Sequence, residues 1–375
     1  MKILAIGYAL MHDRQWKMFE SIDAEVHIIT PHSWPNQTVK PRDHKNLHFH
    51  FCNDYLHFNA NTYFIPAVKK YIKELKPDIV YSFAEPWSFS ALYNEFAARK
   101  YDVPHITVGW ENLLKPFPFP FSWIEKYIIK NVEGIVAGNP QVVEIYRMKG
   151  ATCSMITSPG TGFNSEPFLK ERGNLRKKLG MQGKKVILYT GRVVPEKGIM
   201  HVLESVETVC KKVKNAHFLI NGWGPMLPKV RKYARENNLE DKVTILDGVA
   251  REDVPKLYRT SDVFVYPSYR RRRWAEQFGF GIVEPMACGV PVITTYSGAI
   301  PWTVSLNNSI EKAALLVEPR STESLSKGII SVLTDTKLRK KMIANGKIRV
   351  KETSSPAAAK IQGAFIKKVI ENYKS

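Results

Sequence analysis

The stretch from Trp274 to Val292 reads WAEQFGFGIVEPMACGVPV, and its reading decides the fold. Two carboxylates, Glu276 and Glu284, stand around a Gly-Phe-Gly turn (Gly279, Phe280, Gly281) that opens a short helix closed by Gly289 and followed by Pro291. The two glycines remove Cβ atoms where a ligand would approach the backbone, and the helix start leaves N–H donors without carbonyl partners beside them. Donors, partial positive charge and nearby acids describe a place that holds a phosphate by its backbone and hydroxyl groups by its carboxylates. A sugar-nucleotide site is the expectation.

At 375 residues the chain is long enough for two domains with ample core, and 44% hydrophobic with 24% charged residues is ordinary for a soluble globular protein. No apolar run approaches the ~20 residues that span a bilayer. MKILAIG at the start lacks a signal-peptide pattern and reads as a buried strand. Cys52, Cys153, Cys210 and Cys288 lie far apart with no metal-ligand spacing, which predicts reduced thiols and a cytoplasmic location. The net charge of +20 is unevenly placed: residues 1–166 carry 17 Lys+Arg against 16 Asp+Glu, whereas 167–375 carry 38 against 19. An anionic ligand uses only a few of those charges. The remainder suits solvated surface or a peripheral contact with anionic lipid. No basic stripe carries interleaved aromatics and no nucleic-acid-binding motif occurs, so no nucleic-acid partner is expected.

Around the opening stretch, short apolar runs alternate with helical periodicity, which predicts parallel sheets covered by helices on both faces. Lys2–Ile6, Glu25–Ile29, Leu47–Phe51, Asp78–Phe83, His105–Val108 and Gly134–Ala137 read as strands of one Rossmann-like layer. After the first strand stands only Gly7, without a dinucleotide fingerprint, which argues against a nicotinamide cofactor. The segment SPGTGFNSEPFLKERG (158–173) reads as a linker. A helix at 175–180 and a second alternating series follow, with a helix over Gly198–Val213, and helices near 321–334, 336–350 and 356–373 close the chain. The expected division is a first domain of residues 1–165 plus the closing helix 356–375, and a second of residues 166–355.

In the second half, TGRVVPEKG places Arg192 and Lys197 just past a strand, where ligands of parallel sheets collect. An Arg fork and a mobile Lys charge suit a diphosphate. GR-x4-KG at 191–198, the loop Asn221-Gly222-Trp223-Gly224-Pro225, Asp247-Gly248 before a helix, and Glu276 followed by Glu284 in EQFGFGIVEPMACGVPV occur in one order. In this the chain resembles the retaining glycosyltransferases of family four. The resemblance, strongest over about 185–320, implies the B-type glycosyltransferase fold: an α/β chain of two Rossmann-like domains facing a central cleft.

The resemblance also implies roles. Arg192 and Lys197 would bind the donor diphosphate and stabilise the charge that grows as the sugar leaves. Glu276 would hold hydroxyls of the transferred sugar, with backbone N–H groups of Phe278, Gly279, Phe280 and Gly281 beside it. Glu284 would bind the ribose, and the loops carrying Gly222, Gly224, Gly248 and Val249 would flank the base. Gly7 would let backbone approach the phosphate, although the family's usual glycine pair is absent. Trp302 stands where the family commonly has an acid. Relatives with a His near the strand HITVG use it on the donor sugar; this chain resembles the subset with Glu-Asn there, so Glu111 is expected to position the incoming hydroxyl or take its proton, with Asn112 beside it.

His12 is a further acceptor-site candidate, and Arg271 and Arg272, in the run Arg270–Arg273, are candidates for an anionic acceptor. The aromatic and proline segment Lys115–Trp123 reads as an acceptor platform, a lipid contact or core under a loop. No Asp-x-Asp pair occurs, so neither metal nor cofactor is expected, the nucleoside-diphosphate sugar being a substrate. The function expected is transfer of a sugar to a glycan, lipid-linked or small-molecule hydroxyl in polysaccharide or glycoconjugate synthesis. An epimerase of the same fold and a non-catalytic nucleotide- or glycan-binding protein are the alternatives.

Overall fold

In the computed structural model, which describes residues 1–34, 37–38, 44–56, 58–59, 62–307 and 309–375, the short aliphatic runs become strands of two parallel sheets. Among the described residues the first sheet has seven strands: β1 (Lys2–Ile6), β2 (Glu25–Pro31), β3 (Leu47–Cys52), β4 (Ile79–Ser82), β5 (His105–Gly109), β6 (Gly134–Ala137) and β7 (Ser154–Thr157). Their spatial order is β3-β2-β1-β4-β5-β6-β7. The second sheet has six: β8 (Lys185–Arg192), β9 (Ala216–Trp223), β10 (Val243–Leu246), β11 (Val263–Tyr266), β12 (Val292–Thr295) and β13 (Leu315–Val317), in the order β10-β9-β8-β11-β12-β13. These strands are apolar along most of their length because parallel sheets are covered by helices on both faces.

In each sheet the chain begins at an inner strand, builds outward on one side, and then crosses to fill the other. Strand order therefore reverses between β1 and β4, and again between β8 and β11. Ligands of doubly wound sheets collect beyond the carboxyl ends of the strands at such a reversal. The rule directs attention to Gly7 and Phe83 in one sheet, and to Arg192 and Tyr266 in the other.

The chain divides into two units, Met1–Asn164 with Thr353–Ser375, and Ser165–Glu352. The closing helix Ser355–Lys374 lies in the first unit, where Phe365, Ile366 and Val369 join the core built from Ile3, Phe19 and Tyr81. Gln362 is fully buried in that helix, yet it accepts from the Tyr81 hydroxyl at 2.8 Å and donates to Ser158 Oγ at 2.8 Å. Left without those partners, a buried amide would cost roughly 1–3 kcal/mol. The backbone of Phe163 bonds both Thr353 and Ser355, which seats the end of the linker on this unit.

Two expected elements differ. Residues 175–180 form turns and no helix, because Arg176 is drawn into tertiary contacts, donating to Asp262 Oδ2 at 2.7 Å and to the Lys184 carbonyl at 2.9 Å. The stretch expected as one helix over 198–213 is two, Ile199–Glu204 and Val206–Lys212. At the break, the Ser205 hydroxyl donates to the Val202 carbonyl at 2.6 Å, a back-bond that competes with the helix ladder. Among the described residues no helix is long and apolar enough to cross a membrane.

Candidate active site

At the reversal between β8 and β11, the chain leaves β8 at Arg192 and makes a short 3-10 turn over Pro195–Lys197. Gly198 ends that turn with φ of 71°, and a Cβ there would lie 2.1 Å from the Pro267 carbonyl, so only glycine lets the turn sit against the end of β11. The consequence is that Lys197 points inward and is 7% exposed, not a surface charge. Its ammonium donates to the Tyr266 hydroxyl and to Glu276 Oε2, the latter at 2.5 Å. It also lies over the rings of Tyr266 and Trp274, 4.6 and 4.8 Å from their centroids. The Tyr266 hydroxyl donates in turn to Glu276 Oε2 at 3.0 Å. Burial lowers the Lys197 pKa from its ordinary value, while Glu276 pulls it the other way. Burial raises that of Tyr266 far above the usual phenol range, so its proton stays on as the donor to Glu276.

Glu276 is fixed from behind as well. Its carbonyl accepts from the Ala299 N–H at 2.8 Å, and Gly298, at φ 55°, brings backbone so close that a Cβ would lie 2.6 Å from that carbonyl. The turn continues through Phe278, whose carbonyl accepts from Thr303 Oγ1 and whose ring meets that of Trp302 at 5.6 Å. Buried Arg349 donates to the carbonyls of Thr303 and Trp302, so Trp302 is a packing residue in this brace. Gly279 caps the helix Phe280–Ala287, with Gly281 in its first turn. At the far end Gly289 N–H bonds the Met286 carbonyl and Val290 N–H that of Pro285, the Schellman pattern that stops a helix.

On that helix Glu284 accepts from the Tyr258 hydroxyl at 2.8 Å. Tyr258 is 2% exposed, and burial raises its pKa well above normal, so it too remains a donor. The two acids of the opening stretch thus each rest on a buried tyrosine. At the end of β9, Gly222 packs against the Gly191 carbonyl, while Trp223 is 68% exposed and Gly224 follows it. Beyond β10, Gly248 is exposed and Val249 partly buried, after Asp247, which is ion-paired with Arg231 at 2.5 Å.

The arginine run is not one patch. Arg271 and Trp274 exchange backbone bonds of 2.8 and 3.3 Å, closing a tight turn with exposed Arg272 and Arg273 at its tip. The Arg271 guanidinium lies 3.5 Å from Glu196, the neighbour of Lys197. Arg192 is exposed at the end of β8.

In the first unit, Gly7 follows β1 and a Cβ there would meet Phe83 Cβ at 2.8 Å, so the close approach of the two chain segments at the strand reversal itself calls for glycine. Glu111 follows β5; it is 8% exposed, accepts from the Leu113 N–H at 3.1 Å and pairs with Lys115 at 2.5 Å. Asn112 donates to Gln141 at 3.1 Å. His12 is partly buried between the 3-10 turn Tyr8–Met11 and the helix Asp13–Glu20.

Sequence reasoning passed over Tyr258, Tyr266 and Trp274, which support Lys197 and the two acids, and also Glu85. Both oxygens of Glu85 accept from the Trp110 N–H, at 3.0 and 3.3 Å, and burial with the neighbouring Glu111 pushes its pKa up to about 8. A tyrosine ending a strand at the reversal was the available signal for Tyr266; nothing in the spacing marks Tyr258, 26 residues before Glu284.

Residues 171–349 match the model for glycosyl transferases group 1. A GDP-mannose-dependent alpha-(1-6)-phosphatidylinositol monomannoside mannosyltransferase of Mycobacterium tuberculosis is 33% identical over 166 residues, covering 44% of this chain and 42% of the relative. The alpha-D-kanosaminyltransferase of Streptomyces kanamyceticus is 23% identical over 255 residues, 66% of this chain and 62% of the relative. The chain thus spans less than two thirds of the length of either. The solved structure of Anabaena HepE in complex with UDP and glucose superposes with a TM-score of 0.72 at 16% identity, covering 98% of this chain and all of that one. The likeness gives the α/β, two-domain B-type glycosyltransferase fold.

Proposed function

Since residues 171–349 belong to the glycosyl transferases group 1, we propose that this chain is a retaining, metal-independent glycosyltransferase that moves a sugar from a nucleoside diphosphate to a hydroxyl acceptor. The observation that carries the proposal is the buried cluster of Lys197, Tyr266, Trp274 and Glu276 at the strand reversal of the family-matching unit. An ammonium has three donors, and Tyr266 and Glu276 engage two of them, which leaves the third for a phosphate oxygen. Arg192, exposed beside this turn, supplies the fork for a second phosphate oxygen. Glu276 would take sugar hydroxyls with the amides of Phe278 to Gly281, and Glu284, steadied by Tyr258, the ribose.

In the proposed reaction the acceptor oxygen bonds to the anomeric carbon on the face from which the diphosphate oxygen departs. The hydroxyl proton passes to that departing oxygen, so configuration is kept and a strong protein base is not required. Glu111, already engaged by Lys115 and the Leu113 N–H, is assigned the positioning of the acceptor hydroxyl. The acceptor would be a glycan, a lipid-linked sugar or a small molecule, in a cytoplasmic step of glycoconjugate synthesis that allows peripheral membrane contact.

The GDP-mannose dependence of the mycobacterial relative makes GDP-mannose the first donor to try. A thermal-shift screen of GDP, UDP, ADP and their sugars tests the reading: a donor at 100 times its Kd should stabilise the fold by ~2.7 kcal/mol. Absence of any nucleotide response, or a response unchanged in Lys197→Ala, would overturn it.

A further inference from the structure

At the amino ends of the first sheet, far along the strands from Gly7, the sequences Glu25-Val26-His27 and His48-Phe49-His50 lie on neighbouring parallel strands, β2 and β3. Side chains two apart on a strand share a face, and His27 is directly paired in register with His48. Four candidate ligands therefore stand on one face, at the edge of the sheet. The ligating atoms of Glu25, His27 and His48 all lie within 4.8 Å of one another. The rings of His27 and His48 stack at 4.8 Å, His27 Nε2 is 2.8 Å from Glu25 Oε1, and His27 Nδ1 is 2.9 Å from His50 Nε2.

We propose that Glu25, His27 and His48 form a binding site for a divalent transition metal of the zinc class, with His50 as the residue that positions His27. Imidazole nitrogens with one carboxylate are the donor set such ions select, whereas Mg²⁺ prefers an all-oxygen, octahedral shell. Ligands about 2.0–2.1 Å from a tetrahedral ion lie about 3.4 Å apart, so the Glu25–His27 contact of 2.8 Å must open slightly while the widest separations, at most 4.8 Å, close. Glu25 and His48 are exposed, so their side chains adjust at little cost in packing, while His27, 6% exposed, is fixed by its contact with His50. On binding, both rings change tautomer with no net release of protons: His27 moves its hydrogen from Nε2, where it faces Glu25, to Nδ1 and donates to His50 Nε2, whose own hydrogen moves to Nδ1, so the His27 Nε2 lone pair faces the metal. A ligating histidine held by a partner on its other nitrogen is the usual arrangement of such sites. Lys2, whose ammonium is 3.7 Å from Glu25 Oε2, is displaced from the carboxylate by the metal's charge. The ion would tie the edge strand β3 to β2, a structural site at the opposite end of the sheet from the reversal.

The full chain, stripped with EDTA and dialysed, tests this by titration with Zn²⁺ and with Co²⁺ read by visible absorption. One Zn²⁺ per chain should bind and raise Tm, with no response to Mg²⁺. His48→Ala, an exposed substitution that leaves the fold intact, should weaken binding more than tenfold and abolish the Tm response. His50→Phe should weaken it by about 10–100-fold and shift the Co²⁺ spectrum, which a merely structural change would leave alone. Equal Zn²⁺ binding by wild type and His48→Ala, or no stoichiometric binding by wild type, overturns the proposal.

Discussion

Lys197 Nζ lies 2.5 Å from Glu276 Oε2, although 79 residues separate the two in the chain. Their side chains are 9% and 12% exposed, and in such a setting removing one partner strands the other as a buried charge, at a cost of about 3–5 kcal/mol. Lys197→Met should therefore both destabilise the second unit and abolish transfer. Glu276→Gln keeps shape and hydrogen-bonding capacity and should fold, yet lose on the order of a hundredfold or more in kcat. Initial rates measured beside thermal melts separate the two effects. Undiminished transfer by Glu276→Gln would set the proposed donor geometry aside.

Tyr258→Phe deletes one hydroxyl and little volume from a buried site, removing one hydrogen-bond donor from Glu284. The lost hydrogen bond, worth ~1 kcal/mol, should appear as a donor KM raised about fivefold with kcat close to wild type. A fall in kcat at unchanged KM would instead assign Glu284 to the chemical step.

With cationic side chains and a helix start proposed to hold the diphosphate, transfer should survive EDTA. Activity abolished by chelation and restored by Mg²⁺ would contradict this; loss of thermal stability that Zn²⁺ alone repairs would belong to the histidine cluster of the first unit.

Glu85 carries a pH dependence of stability. Its folded pKa, about 8, stands above the ordinary carboxylate value of 4.5, because burial and Glu111 disfavour its charge. Its contribution is thus complete below pH 4.5 and lost as pH rises through 8, since the unfolded chain ionises first. The stability advantage of Glu85→Gln, neutral throughout, over wild type should grow by roughly 3–4 kcal/mol between pH 5 and pH 8, each tenfold in ionisation being worth about 1.4 kcal/mol. Melting curves of both proteins across that range would show a widening gap; a constant gap would place the ionisation elsewhere.

Arg271 engages Glu196, whereas Arg272 stands at the tip of the turn. If the pair recognises an anionic acceptor, Arg271→Ala with Arg272→Ala should raise acceptor KM while leaving donor KM unchanged. Steady-state kinetics against both substrates decide this, and an unchanged acceptor KM removes the run from the site.

The sequence by itself determined the parallel sheets and the order of the glycine and acid motifs, because apolar runs, glycine turns and spaced acids are properties of neighbouring residues. It also marked Lys197, Glu276 and Glu284 one by one. Only the tertiary structure decided what each rests on: the strand reversal brings Tyr266 under Lys197, the packing of two helices brings Tyr258 to Glu284, and register sets His27 beside His48. These partners lie between 21 and 69 residues apart, and nothing in local propensity encodes such distances. Burial then changes what the groups do, holding protons on Tyr258 and Tyr266 and turning a basic loop residue into an enclosed cation, because the cost of a charge depends on its surroundings and not on its spacing in the chain.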